Sequence, residues 1–162
     1  MNLATLSLIA ALPAGTAVAA TYSDADKDIF DGSLTNLDIV SVEVQAVGSD
    51  IVIDLTLANL NANWGNYMMF INTGTTADGS GPIAGNGWGR SIDGLSSTHM
   101  IGGWLNSNQG QGGAQFWKAA NDSWALSSVS DNEAGSISQF VNWETSTITW
   151  TLDGFVDQMI GG

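Results

Sequence analysis

Residues 38–57 read DIVSVEVQAVGSDIVIDLTL, and apolar and polar side chains alternate through nearly all of them. A period of two places every second side chain on one face of an extended chain, so this stretch can bury one face only as β-strands. Gly48-Ser49 interrupts it as a turn signal. A four-residue loop from Ala46 to Ser49 would set Val44 opposite Ile51, Val42 opposite Ile53 and Val40 opposite Leu55. Each apolar residue then meets an apolar partner, and a slip of one residue would turn the whole set toward water. The segment is therefore read as a hairpin, and the rest of the fold has to accommodate it.

The remaining sequence extends the pattern. Tyr67 to Asn72 (YMMFIN) is nearly all apolar and suits a strand buried on both faces. Further strands are expected over Thr98–Leu105, Ala114–Ala119, Ser123–Ser128, Ile137–Val141 and Thr147–Leu152. A tight turn near Ala120-Asn121 would bring Trp117 across from Trp124, a cross-strand pair contributing about 0.2–1 kcal/mol. Ile148, Trp150 and Leu152 share one face and read as core. Loops rich in Gly, Asn, Ser and Thr occupy 73–89 and 106–113. Short strands with turn signals between them imply an all-β domain, a sandwich or barrel, taken here as an antiparallel β-sandwich of jelly-roll type over 21–162.

Residues 1–20 have a different character. An apolar run from Leu3 to Leu12 precedes Pro13, Gly15 and the small residues Ala17-Val18-Ala19. The run is too short to span a bilayer and ends in an A-x-A site, which is the pattern of a secretory signal peptide. No Lys or Arg stands before the run, which departs from that pattern. Export to the medium or the cell surface, with no membrane insertion after cleavage, is the expectation.

Charge removes several functions. The chain carries 16 acidic residues against 3 basic ones and a formal net charge of −13. Such a chain repels phosphate backbones, which argues against nucleic acid, and offers little attraction to anionic lipid. With no cysteine there is no disulfide, thiolate nucleophile or cysteine metal site. The single histidine, His99, would have to be the base of any Ser-His-Asp triad, yet it sits within a strand and no G-x-S-x-G elbow exists. A hydrogen-bonded strand histidine is the simpler reading.

Glycosidase chemistry would need two facing carboxylates. The glutamates Glu43, Glu133 and Glu144 fall on an outer strand face, in a loop and beside Trp143, and read better as solvated surface groups. Metal binding has a more pointed candidate. Thr21 to Gly32 (TYSDADKDIFDG) places Asp24, Asp26, Asp28 and Asp31 close together. The D-x-D-x-D spacing opens like an EF-hand loop, but Ile29 replaces the required glycine and Thr35 the closing glutamate. What remains is a possible structural Ca²⁺ held by loop carboxylates, set against a merely solvated acidic segment.

Aromatic residues carry the strongest functional signal. Trp64, Tyr67, Trp88, Trp104, Trp117, Trp124, Trp143 and Trp150 spread over most strands and loops. Core filling is the ordinary use of such rings. Trp64 and Trp88, however, lie in polar, glycine-rich surroundings (NANWGNY, GNGWGR) that favour exposure. An exposed indole can stack on the C–H face of a sugar ring while Asn, Asp, Gln or Arg side chains bond its hydroxyls, and this needs no basic surface. Arg90, two residues past Trp88, would supply either a salt bridge or a fork for a sugar hydroxyl or carboxylate. Trp64, Tyr67, Trp88, Arg90, Trp117 and Trp124 are the candidate carbohydrate contacts.

Three stretches carry a family resemblance: LDIVSVEV with its IVIDL partner, NWGNYMMFINTG, and GNGWGR followed by IGGW and GGAQFW. Together they resemble the secreted bacterial β-sandwich modules of the family 9 and DOMON-like carbohydrate-binding type, over most of 22–155. The resemblance implies sugar binding, often with a structural Ca²⁺, at Trp64, Tyr67, Trp88 and Arg90. A haem-binding branch would need His99 with Met68, Met69 or Met100, and one histidine without a supporting motif argues against it. The sequence thus points to a secreted, non-catalytic module that binds a polysaccharide or other glycan. A surface or filament subunit is the second reading and a small jelly-roll glycosidase the third.

Overall fold

A computed structural model describes residues 19–24, 34–60, 64–76, 78–90, 94–130 and 136–156. Among them run eleven strands: β1 (Ala19–Ser23), β2 (Ile39–Val47), β3 (Asp50–Leu57), β4 (Asn66–Ile71), β5 (Ile83–Ala84), β6 (Ser96–Ser97), β7 (His99–Asn106), β8 (Gly110–Ala120), β9 (Ser123–Ser130), β10 (Ile137–Asn142) and β11 (Thr147–Leu152). Sheet A has the order β1-β2-β3-β11-β10 and sheet B the order β4-β7-β8-β9, while β5 and β6 form a separate ribbon. Every pairing is antiparallel. The two large sheets face each other as an all-β sandwich with open edges rather than a closed barrel.

Alternation decides what each strand buries. Ile51, Ile53, Leu55 and Leu57 of β3 point inward with Val44 of β2 and Ile148, Trp150 and Leu152 of β11. They meet Tyr67, Ile71, Ile101, Leu105, Ala114 and Phe116 of sheet B. Each fully buried large side chain contributes about 1.5–3 kcal/mol relative to exposure. Trp150 is completely buried and its indole N–H donates to Gln139 Oε1 at 2.8 Å. Gln139 in turn donates to the carbonyls of Trp104 (3.0 Å) and Gln111 (2.6 Å), so one buried amide ties sheet A to sheet B.

The hairpin at 38–57 forms, but with a different register. Val44 pairs with Ile53, Val42 with Leu55 and Ala46 with Ile51. The loop is the two residues Gly48-Ser49, with Gly48 at φ 64°, not four residues from Ala46. Two-residue turns with positive φ match the twist of paired strands. The shift is two residues, so the side chains from Val42 onward keep their expected faces. Near the far end a bulge takes Val40 out of register.

Three further expectations are corrected. Trp124 pairs with Ala119 and Trp117 with Leu126, so the two tryptophans are diagonal neighbours rather than a direct pair. The cause is the two-residue turn Asn121-Asp122, both at positive φ, which fixes the register through Trp117; the bulge between Phe116 and Trp117 lies beyond the pair. YMMFIN is not buried on both faces: β4 is an edge strand of sheet B, and Met68 is exposed. The loop expected over 106–113 closes early, because β8 already begins at Gly110. At the other end β1 begins at Ala19, which pairs with Gln45. Residues 1–18 of the expected signal segment lie outside the described residues.

Candidate functional site

The outer faces of the two sheets differ. Sheet A presents Glu43, Asp54, Thr149 and Phe140 in one cross-strand row, with Gln45, Val52, Thr151 and Ser138 in the next. Sheet B presents Phe70, Met100, Trp117 and Leu126 in one row and Met68, Gly102, Gln115 and Val129 in the next. Trp104 follows, opposite Asn66 and Gly113. Such an apolar outer face has to be covered by its own chain or by something else.

The connection that carries β5 and β6 covers part of it. Met100 and Ala119 point away from the sandwich core and are nonetheless fully buried. Gly87 sits against the indole of Trp117, where an added Cβ would come within 2.2 Å of Cδ2. The six-membered ring of Trp88 occupies the space over Gly102, where a Cβ would meet Cζ2 at 2.3 Å. Trp88 donates its ring N–H to Gln115 Oε1 at 2.7 Å, and Trp117 donates to the same oxygen at 3.3 Å. Trp124 donates to the Ala84 carbonyl at 3.2 Å. Three indoles are thus held to this face by their polar edges, and Trp88 and Trp124 remain half-buried.

The buried side chain of Asn86 organises the loop that carries Trp88. Its Oδ1 accepts the backbone N–H groups of Trp88 (3.0 Å) and Arg90 (3.1 Å), and its Nδ2 donates to the Arg90 carbonyl at 2.7 Å. Arg90 itself is exposed. Sequence reasoning did not single out Asn86 or Gln115. Their partners lie in a local turn and on a distant strand, and no composition signal marks either residue.

The other candidates fall elsewhere. Trp64 is 50 % exposed just before β4, and its carbonyl accepts from the buried Asn36 side chain at 2.8 Å. Tyr67 offers no free ring face: it lies in the core, and its hydroxyl donates to the Asn36 carbonyl at 2.7 Å. Burial also pushes its phenol pKa upward. Trp117 lies beneath Gly87 and supports the face more than it presents one. The structure therefore brings Trp88, Arg90, Trp117 and Trp124 together around sheet B, sets Trp64 at the start of its edge strand, and withdraws Tyr67.

His99 is a core residue. Its ring stacks on Phe116 (centroids 5.5 Å apart), meets Phe155 edge-on at 5.1 Å, and holds Thr98 Oγ1 at 3.0 Å through Nδ1. Burial, with Lys118 nearby, lowers its pKa to about 4. Of the glutamates, Glu43 sits mid-strand on the outer face of sheet A, bonded by Gln45 at 2.7 Å. Glu144 lies in the β10–β11 turn of that sheet, and Glu133 falls outside the described residues. Asp26, Asp28 and Asp31 are also outside them. Asp24 donates its backbone N–H to the Val40 carbonyl at 2.9 Å. Among the described residues no group of three or more His, Asp or Glu side chains could hold a metal ion, and no helix is long and apolar enough to cross a membrane.

Comparison with protein-family models, curated proteins and solved structures finds no match.

Proposed function

We propose that this protein is a non-catalytic carbohydrate-binding module whose ligand surface is the outer face of sheet B. The observation that carries the reading is Trp88. Its ring lies over a glycine of the sheet, its N–H is already satisfied by Gln115, and Met68 and Val129 flank it in the same cross-strand row. An indole fixed in this way loses little side-chain freedom on binding, so stacking against a pyranose ring is not offset by ordering a mobile residue. Trp104, opposite Asn66, extends the apolar surface toward the start of β4. The likeness of GNGWGR and IGGW to the family 9 and DOMON-like modules supports the same reading.

The test is retention of the protein on insoluble and soluble polysaccharides, scored with Trp88→Ala beside wild type. Trp88→Ala should weaken retention at least tenfold while circular dichroism stays native. Phe140→Ser, on the outer face of sheet A, should leave retention unchanged. Equal retention of wild type and Trp88→Ala would overturn the reading.

A second reading, a surface or filament subunit, is favoured by the edge strand β9, where Leu126 and Val129 are both about half exposed (46 % and 49 %). Self-association through that edge would appear as concentration-dependent light scattering, whereas a stable monomer speaks for the module.

A further inference from the structure

Charge is distributed unevenly over the sandwich. The chain has 16 acidic residues, yet none falls in the four strands of sheet B. Of its three basic residues, Lys118 lies in β8 and Arg90 on the loop beside the same sheet. Lys118 faces Asp78 and His99 and is within electrostatic reach of both. Among the described residues no carboxylate pairs with Arg90. Its backbone is fixed on both sides by the buried Asn86 amide, the group that also holds the N–H of Trp88. Gly89 closes the turn by donating to the Asn86 carbonyl at 3.0 Å. An exposed guanidinium and a ring braced against the sheet therefore project from one tight turn, beside a sheet whose four strands carry no carboxylate.

We propose that this surface takes a uronic-acid polysaccharide, with a sugar ring over Trp88 and its carboxylate in the guanidinium fork of Arg90. The proposal rests on the carbohydrate-binding reading and names the substrate class. A guanidinium matches a carboxylate with two parallel N–H···O bonds, which a neutral hydroxymethyl group cannot accept in the same way. The net charge of −13 does not forbid such a ligand. At physiological ionic strength exposed charges are largely screened beyond about 8 Å. The acidic residues of sheet A lie across the thickness of the sandwich, about 10 Å between sheets.

Isothermal titration calorimetry of the full chain at 0.15 M salt, with polygalacturonate, alginate and a neutral β-glucan as probes, decides it. Wild type should bind at least one of the two uronates more tightly than the glucan. Arg90→Gln should lower that uronate affinity at least tenfold, and Arg90→Lys, which keeps the charge but loses the fork, should lower it several-fold. The ratio of uronate to glucan affinity should fall in both variants. Binding of glucan without either uronate, or uronate affinity unchanged in Arg90→Gln, would overturn this proposal and leave the carbohydrate-binding reading standing. Binding of none of the three would overturn both.

Discussion

Trp88 and Gln115 are 27 residues apart in the chain, and their side chains meet at 2.7 Å on the outer face of sheet B. That bond fastens a long connection to the sheet it crosses. Because the same Oε1 also takes the N–H of Trp117, Gln115→Ala would strand two indole donors at once. Both rings are only partly buried, so water can replace some of what is lost. The expected cost is about 1–2 kcal/mol, or a fall of about 2–8 °C in the thermal midpoint for a domain this size. Differential scanning calorimetry measures it. Gln115→Glu keeps the acceptor and should recover most of the loss.

Consecutive glycines in β7 serve opposite faces. Gly102 makes room for Trp88 outside, and Gly103 makes room for Trp150 and Gln139 inside, where a Cβ would come within 2.7 Å of Cζ2 and 2.8 Å of Oε1. The two alanine substitutions should therefore differ in kind. Gly103→Ala overpacks a sealed core and should cost about 1–3 kcal/mol. Gly102→Ala can lift Trp88 toward solvent, so it should cost less stability but more glycan retention. Urea unfolding beside a retention assay separates them. Equal stability losses with retention intact in Gly102→Ala would contradict the arrangement.

How much of this was legible in the sequence depends on range. Period-two alternation assigned the faces of β3, β11 and of β2 from Val42 onward correctly, because burying one face of a strand leaves no other choice; it missed the bulge that sets Ile39 rather than Val40 against the core. It could not set the register of the first hairpin. Val44 opposite Ile51 and Val44 opposite Ile53 both match apolar to apolar, and only the geometry of the Gly48-Ser49 turn separates them. Exposure of Trp64 agreed with its polar neighbours. The withdrawal of Tyr67 depends on Asn36, which is 31 positions away. The covering of Met100 and Trp117 depends on a connection whose glycines and asparagines read only as loop.

His99 gives the fold an acid-sensitive point. Its pKa falls from 6.5 to about 4 on folding, so the unfolded chain binds the proton more readily. The ring therefore contributes stability that is fully present above pH 6.5 and is lost as pH drops toward 4, at most about 3 kcal/mol. Protonation would place a cation between Phe116 and Phe155, close to Lys118. Carboxylates titrate over much of the same range, so the comparison is with His99→Phe. The difference in urea midpoint between wild type and this variant should shift against wild type as pH falls from 7 to 4. A difference that stays constant would show that the imidazole is not held neutral by the fold.

An edge strand needs something to stop it pairing with a neighbour. On β10 that role falls to Gln111, whose side chain reaches from β8 and takes both backbone groups of Val141. Oε1 accepts its N–H at 2.6 Å and Nε2 donates to its carbonyl at 3.0 Å. The amide thereby imitates one residue of an adjacent strand at the free edge of sheet A. Gln111→Ala would uncover that pair of groups beside the exposed Phe140. The variant should remain folded but associate, with scattering that rises more steeply with concentration than that of wild type. Gln111→Glu can accept from the Val141 N–H but cannot donate to its carbonyl, and should fall between the two. If wild type and Gln111→Ala scatter alike, the edge is guarded by something other than this amide.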